Sequence, residues 1–529
     1  ALSLAALNAA AATTLTVSNS ALTTIAAFGT TNKLATVTVT GGGLNADLST
    51  QTVLTAVNAS TSTGANTISI AAGQTYTGGT GIDVVTAGNA LQTATVNGGA
   101  GTADRLILTA DAAFATTGAA KFTGFEILQV GTGVTADVSR FTGSTITAAI
   151  LDGAAPTITG LTAAQAAAIS TTGGAQALTI GVTGAANIGQ QDTVTITNST
   201  AAATFAAPAM AGVETLNLAG TFAITVGALT GVAALTTLNA TGSGNLSITT
   251  GALALNVNTV INAAAATGTV LVNAVTATVN GLQIIGSATK ANTLTGNALA
   301  STLTGGAAND NITGGASADT ISGGEGNNTI AGGGGADVIT AGNGNNTISG
   351  FSGGTVTVGN GNNTITGGDV ADTVAVGSGN NTISTGAGVD LITVGAGINS
   401  ITAGAGNDRV TIGANTVGSY STWTDAAVGD TLTTAAGTLL NNAGAAAALG
   451  AAIVLTNTST FQDYLNASVL SGGGAGTANW FQQGGNTFLV VDLGANSTTF
   501  TANEDAVICL TGLISLAAST VTANVLTIV

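Results

Sequence analysis

The feature that most constrains the fold is a nine-residue repeat between Gly305 and Thr411, in which a glycine-rich turn precedes a short apolar run. Its units begin at Gly305, Gly314, Gly323, Gly332, Ala341, Val358, Gly367, Val376, Thr385, Val394 and Ala403, with one eight-residue unit at 350–357. Position eight is aliphatic throughout the nine-residue units, as at Ile312 and Ile321. Strands this short bury too little apolar surface alone, so each coil must stack on its neighbours. The repeat therefore predicts a parallel β-helix or β-roll solenoid.

Position six separates the repeat into two kinds of unit. Successive units of a roll alternate between its two sides, so residues eighteen apart are expected to stack. One side then carries Asp319, Asp337, Asp372, Asp390 and Asp408, with Thr355 in the irregular unit, and the other carries Asp310, Asn328, Asn346, Asn363, Asn381 and Asn399. Stacked aspartates repel without a cation between them, and carboxylate and carbonyl oxygens are the ligands that Ca²⁺ prefers. We predict several Ca²⁺ ions on the aspartate side, with Asp310 as a further ligand.

The asparagine side has a simpler interpretation. Stacked asparagines can hydrogen-bond from neighbour to neighbour, so we expect this side to need no metal. The alternative for both sides is a series of metal-free Asn/Gly turns.

One complete nonad, G-G-T-G-I-D-V-V-T at 78–86, lies outside the main array, and a looser copy begins at Gly98. Asp83 and Asp104 in these units are about one pair of turns apart, which predicts an isolated Ca²⁺ site. The alternative is a pair of ordinary Gly-Gly turns. Glu126 and Glu214, in the related phrases G-F-E-I-L-Q-V and G-V-E-T-L-N-L, are interpreted as turn residues in preference to metal ligands.

Composition excludes several classes of function. The chain of 529 residues is 45% hydrophobic but only 5% charged, with a net charge of −17. Its six Lys and Arg residues form no cluster, so nucleic acid and anionic lipid are not expected partners. The absence of histidine excludes Ser-His-Asp triads and HExxH zinc sites, and we predict no enzyme activity. No apolar run is long enough to predict a transmembrane segment, and Cys509 is predicted to be a buried structural thiol.

The sequence predicts an all-β protein in three parts. Residues 1–285 form an irregular β-helix of stacked short strands, with the isolated site near 78–108. Residues 286–412 form the roll, which begins with metal-free turns carrying Asn292 and Ser301 at position six. Residues 413–529 form a C-terminal β cap, in which 423–432 leaves the roll and a hairpin turns at Gly484 and Gly485. Short helices are predicted at 162–170, 444–449 and 461–470.

The nonads, the two glutamate phrases and the tail motifs T-D-A-A-V-G-D, W-F-Q-Q-G-G-N-T-F-L-V-V-D and D-A-V-I-C-L-T-G resemble one protein family. It is the calcium-binding surface-layer (S-layer) proteins of Gram-negative bacteria, which carry RTX repeats and are exported by type I secretion. The resemblance implies an extracellular, cell-surface location and an uncleaved secretion signal within 413–529. It also implies Ca²⁺-dependent self-assembly into a homo-oligomeric lattice, for which hexameric symmetry is one option.

The sequence departs from this family in two respects. Asparagine replaces aspartate at position six in five units, and no domain that would anchor the chain to lipopolysaccharide is recognisable. If lipopolysaccharide is a partner, it would bind through a part not recognisable here. The chain begins at Ala1 without a methionine or a basic signal region, so we expect it to start partway through a longer protein.

These features favour a structural subunit of an extracellular two-dimensional layer that folds and assembles on binding Ca²⁺. Two alternatives remain, namely a secreted RTX adhesin or matrix protein and the non-catalytic secretion half of an RTX enzyme. A glycosidase that uses carboxylates alone is formally compatible with the composition. Tryptophans that would stack on sugars are nearly absent, however, with only two in the chain.

Overall fold

A computed structural model describes the chain over a set of ranges, and it is nearly all β. These ranges are 1–8, 10–29, 33–88, 90–111, 117–185, 191–229, 231–249, 257–413, 420–434, 447–449, 452–455, 458–472, 477–492, 499–500, 505–522 and 525–529. The chain divides into two compact units, Ala1–Gly268 with Thr276–Val279 (unit 1) and Thr269–Val275 with Asn280–Val529 (unit 2). The predicted all-β solenoid class is confirmed.

Unit 1 is built from parallel coils whose strands form four sheets. The first sheet contains Leu2–Leu4, Thr23–Ile25, Leu44–Asp47, Asn66–Ile70, Asp83–Ala87, Arg105–Leu108, Ile127–Val130, Ala148–Leu151, Ile169–Thr171, Thr193–Asn198, Thr215–Gly220, Thr237–Thr241 and Val260–Asn262. The second contains Thr14–Val17, Thr36–Gly41, Ala56–Ser62, Thr75–Thr77, Val96–Asn97 and Phe122–Thr123. The third contains Thr135–Asp137, Thr157–Leu161 and Thr179–Val182, and the fourth contains Gly174–Gln176, Ala203–Phe205, Ile224–Val226 and Leu246–Thr249.

The core of unit 1 consists of inward-facing aliphatic residues stacked in register. Val85 pairs with Leu106, which pairs in turn with Leu128, and all three are fully buried. Burial alternates along many of these strands, as in Thr215–Gly220, because successive side chains point to opposite faces. The predicted helix at 162–170 is present only over Ala163–Ala166, where Thr162 and Gln165 form a capping box. The prediction is wrong at 169 and 170, which belong to the strand Ile169–Thr171. Two 3₁₀ turns, Ala119–Lys121 and Val138–Arg140, are also present in this unit.

Unit 2 contains the repeat, whose coils form two parallel stacks. The aspartate sheet contains Leu282–Ile285, Ser301–Gly306, Thr320–Gly324, Val338–Ala341, Thr355–Val358, Thr373–Val376, Leu391–Val394, Arg409–Ile412 and Thr431–Thr434, with Val525–Thr527, Thr520–Thr522 and Ala447–Ala448 added in antiparallel pairings. The asparagine sheet contains Val270–Asn273, Asn292–Thr295, Asn311–Gly315, Thr329–Gly333, Thr347–Ser349, Thr364–Thr366, Thr382–Ser384, Ser400–Thr402, Ser421–Trp423, Ala506–Leu510, Asn486–Asp492 and Thr477–Gln483. The position-eight residues form two buried stacks, in which Ile321 pairs with Ile339 and Ile330 pairs with Ile348.

The irregular unit has a different register from the predicted one. Thr355 pairs with Val338, which is a position-seven residue, so Gly354 occupies position six beside Asp337. The assignment of Thr355 to position six was therefore wrong. The strand keeps its pairing because Val356 must enter the core beside Ile339. The turn of this eight-residue unit is therefore one residue shorter than the turns of the nine-residue units.

Residues 423–432 also differ from the prediction, because they continue the stack instead of leaving it. Ser421–Trp423 pairs in parallel with Ser400–Thr402, and Thr431–Thr434 pairs with Arg409–Ile412. Trp423 is fully buried in register with Ile401. Asp425 holds this longer turn, since it accepts hydrogen bonds from the backbone N–H groups of Ala403 and Gly404 and from Nε1 of Trp423.

The C-terminal part contains the predicted hairpin, Thr477–Gln483 with Asn486–Asp492, which turns at Gly484 and Gly485. The predicted helix at 461–470 is present as Phe461–Gly472. It packs on the hairpin through a buried cluster of Leu465, Val469, Phe481, Phe488, Val490, Val507 and Cys509, which makes Cys509 the buried thiol that was predicted. The helix predicted at 444–449 is wrong at Ala447–Ala448, which form a strand against Thr520 and Val521. Residues 444–446 lie outside the described ranges.

Candidate metal centre

The position-six aspartates form a ladder along one side of unit 2, with Gly354 in place of an aspartate in the irregular unit. Each aspartate lies immediately before a strand of the aspartate sheet. The coil after Asp337 carries Gly354 at position six, whose N–H donates to Oδ1 of Asp372. Between coils that both carry aspartate, the backbone N–H of one aspartate donates to Oδ1 of the next. This bond is 2.9 Å from Asp319 to Asp337, 2.8 Å from Asp372 to Asp390 and 2.9 Å from Asp390 to Asp408. The predicted stacking of residues eighteen apart is therefore confirmed.

The second carboxylate oxygen of most of these residues has no partner. Oδ2 of Asp319, Asp337, Asp390 and Asp408 is buried without a hydrogen bond, and each side chain is at most 2% exposed. A buried charged oxygen without a partner is strongly destabilising unless a proton or a cation satisfies it. The turn leaves room for these atoms because position one is glycine in the units of Asp319 and Asp337, where a Cβ would overlap Oδ2.

Burial raises the pKa of three of these carboxylates, those of Asp319, Asp337 and Asp408. Desolvation raises the pKa of Asp319 to about 6, and the neighbouring charge of Asp337 adds to the effect. The pKa of Asp408 is likewise raised to about 6, by burial first and then by the charges of Asp390, Asp430 and Asp425.

Two of the predicted ligands in unit 2 have both carboxylate oxygens satisfied by protein donors. Oδ1 of Asp372 accepts from the N–H groups of Gly353 and Gly354, and its Oδ2 accepts from Gly368. Asp310, on the asparagine side, accepts from the backbone and amide of Asn292 and from the N–H of Gly306. Asp372 and Asp310 thus accept hydrogen bonds at both carboxylate oxygens. In Asp319, Asp337, Asp390 and Asp408, by contrast, Oδ2 accepts none.

The asparagine side forms an amide ladder with the same backbone geometry. Nδ2 of Asn346 donates to Oδ1 of Asn363 at 3.0 Å, and Nδ2 of Asn363 donates to Oδ1 of Asn381 at 2.9 Å. This neighbour-to-neighbour bonding is the arrangement that was predicted. Exposed asparagines at position five form a second ladder, which includes a 2.7 Å bond from the Asn345 N–H to Oδ1 of Asn327.

Asp83 and Asp104 of the isolated site lie on adjacent coils of unit 1. The N–H of Asp83 donates to Oδ1 of Asp104 at 2.8 Å, and the N–H of Asp104 donates to Oε2 of Glu126 at 2.9 Å. Oδ2 of Asp104 is buried without a partner, whereas Asp83 accepts from Asn66 and Gly79. Burial raises the pKa of Asp104 to about 6, and the charges of Asp83 and Glu126 contribute. Glu126 therefore continues this ladder as a turn acceptor.

Sequence reasoning missed two members of these ladders. Asp430 extends the aspartate side, because its Oδ1 accepts the Asp408 N–H at 2.9 Å, and burial raises its pKa. It was overlooked because its separation from Asp408 is 22 residues and its turn lacks the glycine pattern. Asp192 in unit 1 is also buried, with Oδ2 unpartnered. The signal that could have found it is its position 22 residues before Glu214, the same separation as between Asp104 and Glu126.

The residues present fit a hard divalent cation. Ca²⁺ takes six to eight oxygen ligands, which include carboxylates, backbone carbonyls and water. Within the described ranges, no three His, Cys, Asp or Glu side chains come together in a group that could hold a metal. Each ion would therefore be held by one or two carboxylates, with main-chain carbonyls of the glycine-rich turns. Asp319, Asp337, Asp390, Asp408 and Asp104 supply the unpartnered oxygens that such an ion would neutralise.

Comparison with protein families agrees with this chemistry. The family model described as RTX calcium-binding nonapeptide repeat (4 copies) matches residues 295–330, 322–354, 349–383, 357–392 and 384–415. The chain carries RTX calcium-binding repeats. These RTX repeats coincide with the aspartate and asparagine ladders of unit 2, and calcium is the ion that repeats of this type bind. A comparison with curated proteins gave no match. No helix among the described residues is long and apolar enough to cross a membrane.

Proposed function

We propose that this protein is a structural subunit of an extracellular two-dimensional surface layer, which folds and assembles when Ca²⁺ enters its RTX turns. The observation that carries the proposal is the aspartate ladder, in which four buried carboxylates each keep one oxygen without a partner. Ca²⁺ bound at these oxygens would neutralise the repulsion between the stacked carboxylates and so stabilise the folded repeats. A ligand that binds only the folded state stabilises it by mass action. Folding would then depend on the high calcium concentration outside the cell.

The surface of unit 2 supports self-association. Its asparagine sheet presents exposed rows of small polar residues, including Thr329, Thr347, Thr364 and Thr382 at position seven. These rows carry no charge that would repel an identical copy, and the chain contains only 5% charged residues. Regular, uncharged rows of this kind favour close contact between identical subunits.

A structural role is proposed over a catalytic one. The full sequence contains no histidine, and most acidic residues in the RTX repeats serve as backbone acceptors within turns. A type I secretion route is proposed from the resemblance of the tail motifs and from the RTX repeats, which are typical of secreted proteins.

The test is assembly of the purified full chain in millimolar CaCl₂, followed by negative-stain electron microscopy. We expect ordered sheets that disperse when EGTA is added and return when Ca²⁺ is restored, whereas Mg²⁺ in place of Ca²⁺ should not restore them. Sheets that survive EGTA unchanged would contradict the proposed role of calcium. Folded protein that binds Ca²⁺ but forms only scattered fibres would instead favour an adhesin or matrix protein.

A further inference from the structure

Asp192 and Glu214 form a carboxylate pair in unit 1, outside the RTX repeats. The N–H of Asp192 donates to Oε2 of Glu214 at 2.8 Å. The N–H groups of Glu214 and Thr215 both donate to the Asp192 carbonyl, at 3.2 and 3.0 Å. On the next coil, Thr236 donates to the Glu214 carbonyl from its N–H at 2.9 Å and from its hydroxyl at 3.2 Å.

The same arrangement is present at Asp104, Glu126 and Thr147. The N–H of Asp104 donates to Oε2 of Glu126 at 2.9 Å, and the N–H groups of Glu126 and Ile127 donate to the Asp104 carbonyl at 3.1 and 3.0 Å. Thr147 donates to the Glu126 carbonyl from its N–H at 2.8 Å and from its hydroxyl at 3.3 Å. Unit 1 therefore contains two copies of one acidic arrangement.

Both copies contain a buried carboxylate oxygen without a partner. Asp192 is 7% exposed and Asp104 is 0% exposed, and Oδ2 of each makes no hydrogen bond. No basic side chain neutralises these groups, since the one ion pair among the described residues joins Arg140 to Asp137. An unpaired buried carboxylate beside a second carboxylate is destabilising unless a positive ligand neutralises it.

We propose that Asp192 and Glu214 bind a divalent cation of the Ca²⁺ type, with carbonyl and water oxygens completing its coordination. The Asp192 carboxylate supplies the buried unpartnered oxygen, and Glu214 supplies the second negative charge. An all-oxygen set that includes carboxylates suits Ca²⁺. This site lies outside the matched repeats and does not depend on whether the protein forms a surface layer.

A purely structural interpretation of the pair makes a different prediction. If Glu214 serves only as an acceptor for the Asp192 N–H, glutamine can replace it, because its Oε1 accepts the same hydrogen bond. A cation ligand cannot be replaced in this way without loss of affinity. Glu214→Gln therefore separates the two roles while preserving the turn.

The experiment counts bound Ca²⁺ on the full chain by equilibrium dialysis and elemental analysis. We expect Glu214→Gln and Asp192→Asn each to bind about one ion fewer per chain than the unmodified protein, as the loss of a single Ca²⁺ site predicts. The matched control is Asp47→Asn, since Asp47 is exposed and its Oδ1 contact with Ser49 can be kept by asparagine. An unchanged ion count in folded Glu214→Gln overturns the proposal.

A stability measurement supplies a second readout for Asp192→Asn. In EGTA this variant should melt at a higher temperature than the unmodified chain, because it no longer buries an unpaired charge, and added Ca²⁺ should raise its Tm by less. Equal Tm values in both conditions would also overturn the proposal. If Asp192→Asn does not fold, Glu214→Gln decides the question alone.

Discussion

At the scale of the residue, the two sides of the RTX repeats differ in one side-chain atom at position six, which is Oδ2 in aspartate and Nδ2 in asparagine. Oδ1 of Asp337 and Oδ1 of Asn363 both accept a backbone N–H from the preceding coil, at 2.9 and 3.0 Å. The second atom differs, because Nδ2 of Asn363 donates to the Gly361 carbonyl at 3.1 Å whereas Oδ2 of Asp337 has no partner. Asparagine therefore completes its turn with protein atoms, and aspartate leaves an oxygen for a cation.

Replacing Asp337 with asparagine should stabilise the protein when calcium is absent and destabilise it when calcium is present. In EGTA, Asp337→Asn should stabilise the protein by about 1 kcal/mol, because an amide can donate to the turn carbonyls where the carboxylate could not. In Ca²⁺ at about a hundred times its Kd, loss of one ion should remove about 2.7 kcal/mol. Urea unfolding in both conditions measures these changes. Asp369→Asn, at an exposed aspartate in a turn on the same side, is the control and should change neither value.

The raised pKa values of Asp319 and Asp408 predict how stability depends on pH. Both pKa values are about 6 in the folded chain, against an ordinary value of 3.8, so the calcium-free folded state binds more protons than the unfolded chain between these values. The free energy of unfolding in EGTA should therefore fall as pH rises from about 4 to about 6, and stay low above that range. The stabilisation that Ca²⁺ adds should grow over the same interval, since ligation requires the deprotonated carboxylate.

Melting temperatures from pH 4 to 8, with EGTA and with Ca²⁺, test this dependence. The two series should converge near pH 4, separate between about pH 4 and about pH 6, and stay apart above that range. Parallel curves across the whole range would contradict the assignment of these aspartates as cation ligands.

At the scale of the element, the coil depends on the backbone conformation of particular glycines. Gly333 at position two has φ of +106°, and a Cβ there would overlap the carbonyl of Gly315 on the neighbouring coil. Gly334 at position three lies in an ordinary conformation, and other units place alanine at this position, as at Ala316 and Ala387. Two adjacent glycines in one turn thus have different structural requirements.

The neighbouring variants Gly333→Ala and Gly334→Ala should have unequal effects. Gly333→Ala should destabilise unit 2 by about 1–3 kcal/mol, because alanine is strained at positive φ and must displace the neighbouring backbone. Gly334→Ala should change stability by less than about 1 kcal/mol. Thermal unfolding in Ca²⁺ measures both, and equal losses would show that the turn conformation described here is not the cause.

The elements also show what could be predicted from the sequence. The repeat period determined the two sides of the roll, the buried position-eight stacks and the starter turns, where Asn292 and Ser301 donate to Asp310 and Asp319. The irregular unit was misassigned because the deleted residue belongs to the turn, which only the strand pairing reveals. Asp430 and Asp192 were missed because their turns lack the paired glycines, although their backbone bonds match those of the ladders. Side-chain periodicity identifies the core more securely than it identifies the turns.

At the scale of the whole molecule, unpartnered carboxylates are unevenly shared between the two units. Among the residues that the structure describes, unit 2 contains four on the aspartate side, at Asp319, Asp337, Asp390 and Asp408, and unit 1 contains two, at Asp104 and Asp192. If each binds Ca²⁺ in the folded state, the free energy gained should be larger in unit 2. Calcium would then stabilise the folded state of both units, and it would stabilise unit 2 more than unit 1.

Hydrogen–deuterium exchange of the full chain, with Ca²⁺ and with EGTA, tests this difference. Calcium removal should increase exchange most in peptides spanning 319–408, because coils in a solenoid are stabilised by their neighbours and local losses propagate along the stack. Peptides around 104 and 192 should show a smaller increase, and the antiparallel hairpin at 477–492, which has its own buried cluster, should change least. If the amides across 319–408 exchanged equally slowly with and without EGTA, calcium-dependent folding would be contradicted. An increase confined to the hairpin would place the calcium dependence outside the RTX ladders, since no ladder aspartate lies in that segment.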